Sequence, residues 1–165
     1  MLAWLTQRMQ YSQFRGGYAV VIENKAFYRA EFASTLDVLG DAITEALEAL
    51  LANGWIDEDQ VFYARLCLEE ALVNAITHGN QSDTTRKVRI EMTREAPGDM
   101  CCIRVCDEGP GFRPESVHLP SGASLNGRGV CLIRHCMESV TYNPEDHCLE
   151  MRMRRKGLCR GGAVP

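Results

Sequence analysis

One hundred and sixty-five residues suffice for one globular domain around a single hydrophobic core. At 45% hydrophobic and 24% charged, the chain has the composition of an ordinary folded protein, which excludes a disordered or fibrous class. The net charge of −4 is unevenly spread: Arg152, Arg154, Arg155, Lys156 and Arg160 carry +5 in the last fifteen residues, leaving −9 on residues 1–150. That acidic balance argues against nucleic acid as the main partner, and the basic end reads as a solvated strand running into a frayed tail.

No apolar run approaches the roughly 18 residues that a membrane span needs, so no membrane association is expected. The opening MLAWLTQRMQYSQFRGG lacks the continuous apolar stretch of a secretory signal, and a cytoplasmic protein is expected. In that compartment most of the eight cysteines read as small buried hydrophobes rather than disulfides. No C-x-x-C pair exists, though His135-Cys136 and His147-Cys148 could converge on a metal.

In chain order, residues 18–23 (YAVVIE) predict a first short strand. Leu36, Leu39, Ile43, Leu47, Leu50 and Leu51 then recur at helical spacing, with Ser34 as the expected cap and Asn53-Gly54 as the stop. A second helix begins after Asp57, buries Val61, Ala64, Leu68, Ala71, Leu72, Ala75 and Ile76, and ends at His78-Gly79-Asn80. Residues 87–94 and 100–106 predict strands joined by a turn at Ala96-Pro97-Gly98-Asp99. Asp107 to Gly129 predicts a long mobile loop, followed by a helix over 129–138 and short strands near 139–143 and 148–154. This order predicts an α+β fold: a two-layer α/β sandwich with helices on one face of a mixed, mostly antiparallel sheet.

Three segments carry chemistry. Glu70, Asn74 and His78 are four residues apart and stack along one side of the second helix. A carboxylate one turn from an amide oxygen suits a divalent cation and a water that must lose a proton; a solvated face with a dipole-satisfying His gives the same pattern. Asp107-Glu108-Gly109-Pro110-Gly111-Phe112 follows an apolar strand, where an Asp can accept a hydrogen bond from an exocyclic base amine and the glycines allow close approach. A strand-ending Asp-x-Gly is also a common turn. Asn126-Gly127-Arg128-Gly129-Val130 opens the last helix, where free N–H groups can cradle a phosphate, although any helix start can look this way.

Together and in this order, EALVNAITHGN, VCDEGPGF and NGRGVCLIRHCMESVTY resemble the N box, the Asp-x-Gly-x-Gly box and the second glycine box of the GHKL (histidine-kinase-like) ATPases, the superfamily of gyrase, the large heat-shock chaperones and sensor histidine kinases. Within it, the chain most resembles bacterial anti-sigma-factor serine/threonine-protein kinases. The resemblance covers residues 18–156, with 1–17 as an N-terminal extension and 157–165 as a C-terminal tail. It implies a Bergerat-type ATP-binding fold, with Glu70 as general base and Asn74 as the Mg²⁺ ligand. Asp107 would bind the adenine amino group, Gly109 and Gly111 would shape the base pocket, and Gly127, Arg128, Gly129 and Val130 would close on the triphosphate, with His78 at the phosphate end of the helix.

The implied activity is transfer of the γ-phosphoryl group of ATP to a serine of a STAS-domain anti-sigma-factor antagonist, by a homodimer that also sequesters a sigma factor. The alternative is an ATP-binding regulatory module that acts by partner sequestration alone. A sensor histidine kinase fits less well, because the first histidine, His78, already lies inside the N box. The chain departs from its relatives in two places. It has no Lys between Phe112 and Gly127, and it carries His147-Cys148 where relatives have Gly-Thr before the last strand.

Overall fold

A computed structural model of the chain describes residues 26–96, 98–110 and 128–158, with side chains from residue 131 onward in the last span. Five strands, β1 (Ala26–Ala33), β2 (Lys87–Glu95), β3 (Met100–Cys106), β4 (Ser139–Asn143) and β5 (Cys148–Arg154), form one sheet in the order β1–β2–β3–β5–β4. All four neighbouring pairs are antiparallel, so the expected mixed sheet has no parallel pair among the described residues. The helices α1 (Leu39–Ala52), α2 (Val61–Asn74) and α3 (Arg128–Cys136) complete the α+β fold.

Strand alternation sorts the sheet into two unlike faces. Val88, Ile90 and Met92 of β2, Ile103 and Val105 of β3, and Met151 and Met153 of β5 enter one buried cluster with the helices. Ile43, Leu47 and Leu50 of α1, Leu68 and Leu72 of α2, and Ile133 of α3 meet them there. The opposite face is a ladder of ion pairs: Arg29–Glu91 at 2.7 Å, Arg104–Glu150 at 3.3 Å, Arg152–Glu150 at 2.9 Å and Arg152–Glu95 at 3.0 Å. The apolar cluster lies on the helix-covered face, which therefore carries the core.

One expectation at the start of the fold needs correction, and one strand was not expected. The strand expected at 18–23 lies outside the described residues, and the strand observed is β1, which the sequence reading missed. A register shift between Ala26 and Tyr28 breaks its alternation, so Phe27 as well as Tyr28 packs against the core. Ser34 does not cap the first helix. It is buried with its hydroxyl unpartnered, and the helix begins through a 3₁₀ turn, Leu36–Val38, in which Leu36 is 56% exposed.

The helix stops match the sequence reading more closely. Gly54 holds φ +67°, its N–H donates to the Leu51 carbonyl at 2.9 Å, and the Trp55 N–H donates to the Leu50 carbonyl at 2.9 Å. This Schellman arrangement satisfies the last carbonyls of α1 and drops Trp55 into the core. At the start of the second helix, the Asp57 N–H donates to Gln60 Oε1 at 3.3 Å, and Gln60 Nε2 donates onward to the Leu158 carbonyl at 3.1 Å.

The basic end is not a frayed tail within the described residues. The Arg155 guanidinium lies 4.2 Å above the Trp55 ring, and its Nη1 donates to the Asn53 and Gly54 carbonyls at 2.9 and 3.0 Å. The Lys156 N–H donates to the Trp55 carbonyl at 2.7 Å, and Leu158 is buried. Arg152 pairs with Glu95 and Glu150, Arg154 with Asp99 and Glu138, and Lys156 with Asp57. Arg155 and Lys156 staple the end of β5 to the α1 stop. Arg160 lies outside the described residues.

The cysteines divide. Cys67, Cys101 and Cys102 are free and buried as expected, whereas Cys131 is free and exposed. Cys106 and Cys148, register partners on β3 and β5, form a disulfide, and Cys136 is also disulfide-bonded. Cys136 and Cys148, the two cysteines that could have converged on a metal, are therefore oxidised. No group of three His, Cys, Asp or Glu placed to hold a metal ion occurs among the described residues.

Trp55 is fully buried, stacks on Phe27 with ring centroids 6.0 Å apart, and supports the Arg155 staple. Trp55→Ala is expected to lose about 3–5 kcal/mol, with Trp55→Phe losing clearly less, in urea unfolding followed by circular dichroism.

Candidate nucleotide site

The site is built where the end of α2 meets the end of β3. After Asn74 the helix widens into a π turn, Ala75–Gly79, closed by the Asn80 N–H donating to the Ala75 carbonyl at 2.8 Å. Glu70 and Asn74 lie one turn apart on α2 and are both half-buried, while His78, in the π turn, is exposed. Cys67, buried one turn before Glu70, has its thiol pushed up to about 12, first by burial and then by the Glu70 carboxylate. That thiol stays protonated at neutral pH.

The Asp-x-Gly turn closes directly on this helix end. A Cβ at Gly109 would lie 1.7 Å from the Gly79 carbonyl oxygen, and a Cβ at Gly79 would lie 2.3 Å from Asp107 Cγ and Oδ2. Only two glycines let these backbones approach so closely. Asp107 is 8% exposed, and its Oδ1 accepts the Gly109 N–H at 2.9 Å. Burial raises its pKa above the ordinary 3.8, opposed by the Gly109 N–H and then by His147, Arg86 and Arg89.

Asn80, which the sequence reading took only as part of a helix stop, is the joint of the site. It is fully buried; its Nδ2 donates to the Lys87 carbonyl at 2.9 Å, and its Oδ1 accepts the Glu108 N–H at 2.8 Å. The Glu108 carboxylate in turn accepts the Lys87 N–H at 2.9 Å. One amide therefore ties the π turn, the start of β2 and the Asp107 turn together. Its signal in the sequence was a polar residue placed directly after a helix-ending glycine.

His147 holds φ +51°, and its carbonyl accepts the Asp107 N–H at 3.1 Å. The left-handed backbone that a glycine adopts easily is thus kept at this position, by a histidine.

The structure brings Asp107 and Gly109 onto the end of the helix that carries Glu70 and Asn74. The third segment is only partly in view. Arg128, Gly129 and Val130 form the first turn of α3, one residue earlier than expected, and α3 packs on α2. Gly111 and Gly127 lie outside the described residues, as do residues 112–126 of the loop expected between them.

Helices over one face of an antiparallel sheet, with an acid–amide helix locked onto an Asp-x-Gly turn, define an ATP-binding domain. Residues 32–154 match the model of the histidine kinase-like ATPase domain, and the chain belongs to that family. No curated protein matches the chain. No helix among the described residues is long and apolar enough to cross a membrane.

Two substitutions test this geometry. Gly109→Ala is expected to destabilise the fold by about 1–3 kcal/mol or more in urea unfolding, because its neighbour is a backbone carbonyl that cannot rotate away. Asp107→Asn keeps an acceptor for Gly109 but removes a buried charge. Because the native state holds the Asp107 proton more tightly than the unfolded chain, the parent loses stability as pH climbs from 3.8 through the raised native value. Asp107→Asn should therefore be the more stable protein at about pH 7, with the difference vanishing by about pH 3, as read from urea midpoints at both values.

Proposed function

We propose that this ATP-binding domain is a protein serine kinase and anti-sigma factor of a partner-switching module, acting in the cytoplasm as a homodimer. The observation that carries the reading is the placement of Glu70 and Asn74 one turn apart on the helix whose end is locked to Asp107. A base, an oxygen ligand and an adenine acceptor on one rigid frame are what phosphoryl transfer from ATP requires. The resemblance of all three boxes to the anti-sigma-factor kinases supports the choice of a serine as acceptor.

In this reading Asp107 accepts a hydrogen bond from the adenine amino group, and Gly109 and Gly79 keep side chains out of the base's way. The Asn74 side-chain oxygen is the hard donor that Mg²⁺ prefers, and the half-buried Glu70 carboxylate one turn away adds negative charge beside it, so the residues present fit Mg²⁺. Bound there, Mg²⁺ would neutralise phosphate charge. Glu70 takes the proton of the attacking serine hydroxyl of a STAS-domain antagonist, the Ser Oγ–P bond forms, and ADP leaves with the bridging oxygen. Gly127, Arg128, Gly129 and Val130 close on the phosphates with backbone N–H groups, and His78 stands at the phosphate end of α2. The same protein sequesters a sigma factor, and phosphorylation of the antagonist keeps it from releasing that factor.

Transfer of label from [γ-³²P]ATP to a purified STAS-domain protein tests the assignment. Glu70→Ala should lower transfer by about 10²–10⁴-fold while leaving binding of a non-hydrolysable ATP analogue nearly unchanged by calorimetry. Asn74→Ala should weaken both. Equal phosphorylation by the parent and both variants would refute the kinase reading.

A further inference from the structure

The Cys106–Cys148 disulfide has no role in phosphoryl transfer, yet it stands at the base of the turn that carries Asp107. Cys106 is the last residue of β3 and Asp107 follows it directly; Cys148 is the first residue of β5 and His147 precedes it. The Asp107 N–H donates to the His147 carbonyl at 3.1 Å, one step beyond the cysteine pair. The S–S bond thus fixes the two strand ends from which Asp107 and its backbone partner project.

Access and charge around the pair are unequal. Cys106 is 8% exposed and Cys148 only 1%, so the Cys106 side of the pair lies nearer to solvent. Arg104 Nη2 lies 3.4 Å from Cys148 Sγ, where a guanidinium can stabilise a departing thiolate. Glu91, Asp146 and Glu150 hold Arg104 in place, at 3.5, 3.1 and 3.3 Å.

The geometry points to a redox-modification site: the Cys106–Cys148 pair exchanges with a low-molecular-weight thiol–disulfide couple, and its oxidised form clamps the Asp107 turn in its nucleotide-binding shape. This rests on the nucleotide role given to Asp107. In the reducing direction a small thiolate attacks Cys106 Sγ, the Cys106–Cys148 S–S bond breaks, and Cys148 leaves as a thiolate beside Arg104. A second small thiolate attacks the outer sulfur of the mixed disulfide, so that Cys106 leaves and the small disulfide departs. The protein gains two electrons and two protons, and two small thiols become one disulfide. The oxidised couple runs the sequence backwards. Disulfides in thiol-reducing compartments are characteristically of this regulatory kind.

The experiment equilibrates the full chain in glutathione buffers of graded ratio and identifies linked peptides by alkylation and mass spectrometry. Each state is then titrated with Mg²⁺ and a non-hydrolysable ATP analogue, and hydrogen exchange is followed over residues 107–110. The oxidised protein is expected to bind the analogue roughly three- to tenfold more tightly than the reduced one, with slower exchange over 107–110. Cys106→Ser, which leaves the Cys136 disulfide untouched, should behave as the reduced parent in every buffer. Cys148→Ser serves as the second variant should Cys106→Ser fail to fold.

Failure to recover a linked Cys106–Cys148 peptide at the most oxidising ratio overturns the proposal. So does equal affinity in the two states when the link is present. If neither state binds nucleotide, the reading of Asp107 falls on its own account. Exchange over 107–110 then decides the clamp: slower exchange in the oxidised state upholds it and equal exchange overturns it.

Discussion

The site depends on one steric constraint: the backbone of Gly79 touches the backbone of Gly109, with the Asp107 carboxyl filling the remaining space. No side chain fits at either glycine, so the end of the second helix and the end of the third strand come closer than ordinary packing allows. The π turn makes this approach possible. By closing on the Ala75 carbonyl five residues back, it spends one extra residue before the helix ends and delivers Gly79 to the turn. Such turns are uncommon in helices and recur at functional sites, because they cost regular hydrogen bonding and need a local return. Here the return is the Asn80 amide, which satisfies a carbonyl at the start of β2 and an N–H in the Asp107 turn.

That rigid junction carries a charge the fold would rather not bury. Asp107 is pushed toward its protonated form by desolvation, and one N–H from Gly109 does not cancel the effect. Asn80, more deeply buried, has both ends of its amide satisfied and pulls the structure together. The contrast separates the two roles. A fully partnered polar group specifies shape, while a partly partnered carboxylate keeps capacity for a ligand. The stability that tolerates Asp107 comes from elsewhere, from the apolar layer between α1, α2 and the inner sheet face.

Much of this frame was legible in the sequence because its signals are local. β3, β4 and β5 fall on the expected 100–106, 139–143 and 148–154, and both helix stops were read from glycines at helix ends. β1 was missed although residues 28–33 alternate; only its first residues are irregular, where the bulge puts two successive aromatic residues, Phe27 and Tyr28, against the core. Ser34 was misread because a polar residue before a helix usually caps it, whereas here the strand pairing continues through its N–H to the Arg86 carbonyl. The basic end was misread because the partners of Arg155 and Lys156 lie about a hundred residues away, at Asn53–Trp55 and Asp57. In the site, Glu70, Asn74, Asp107 and Gly109 were visible as motifs. Asn80 was not, since its function lies wholly in contacts made by the fold.

The same reasoning unites two features that look unrelated in the sequence. His147-Cys148 reads there as the loss of a Gly-Thr pair, and eight cysteines read as filler for a core. In the fold, the histidine keeps the left-handed backbone that the position demands, and its carbonyl holds the Asp107 amide. The cysteine beside it is bonded to the residue that precedes Asp107. The two strands that frame the turn are thus joined by a covalent bond. Such a bond fixes the distance between the strand ends, where a hydroxyl could add only a hydrogen bond.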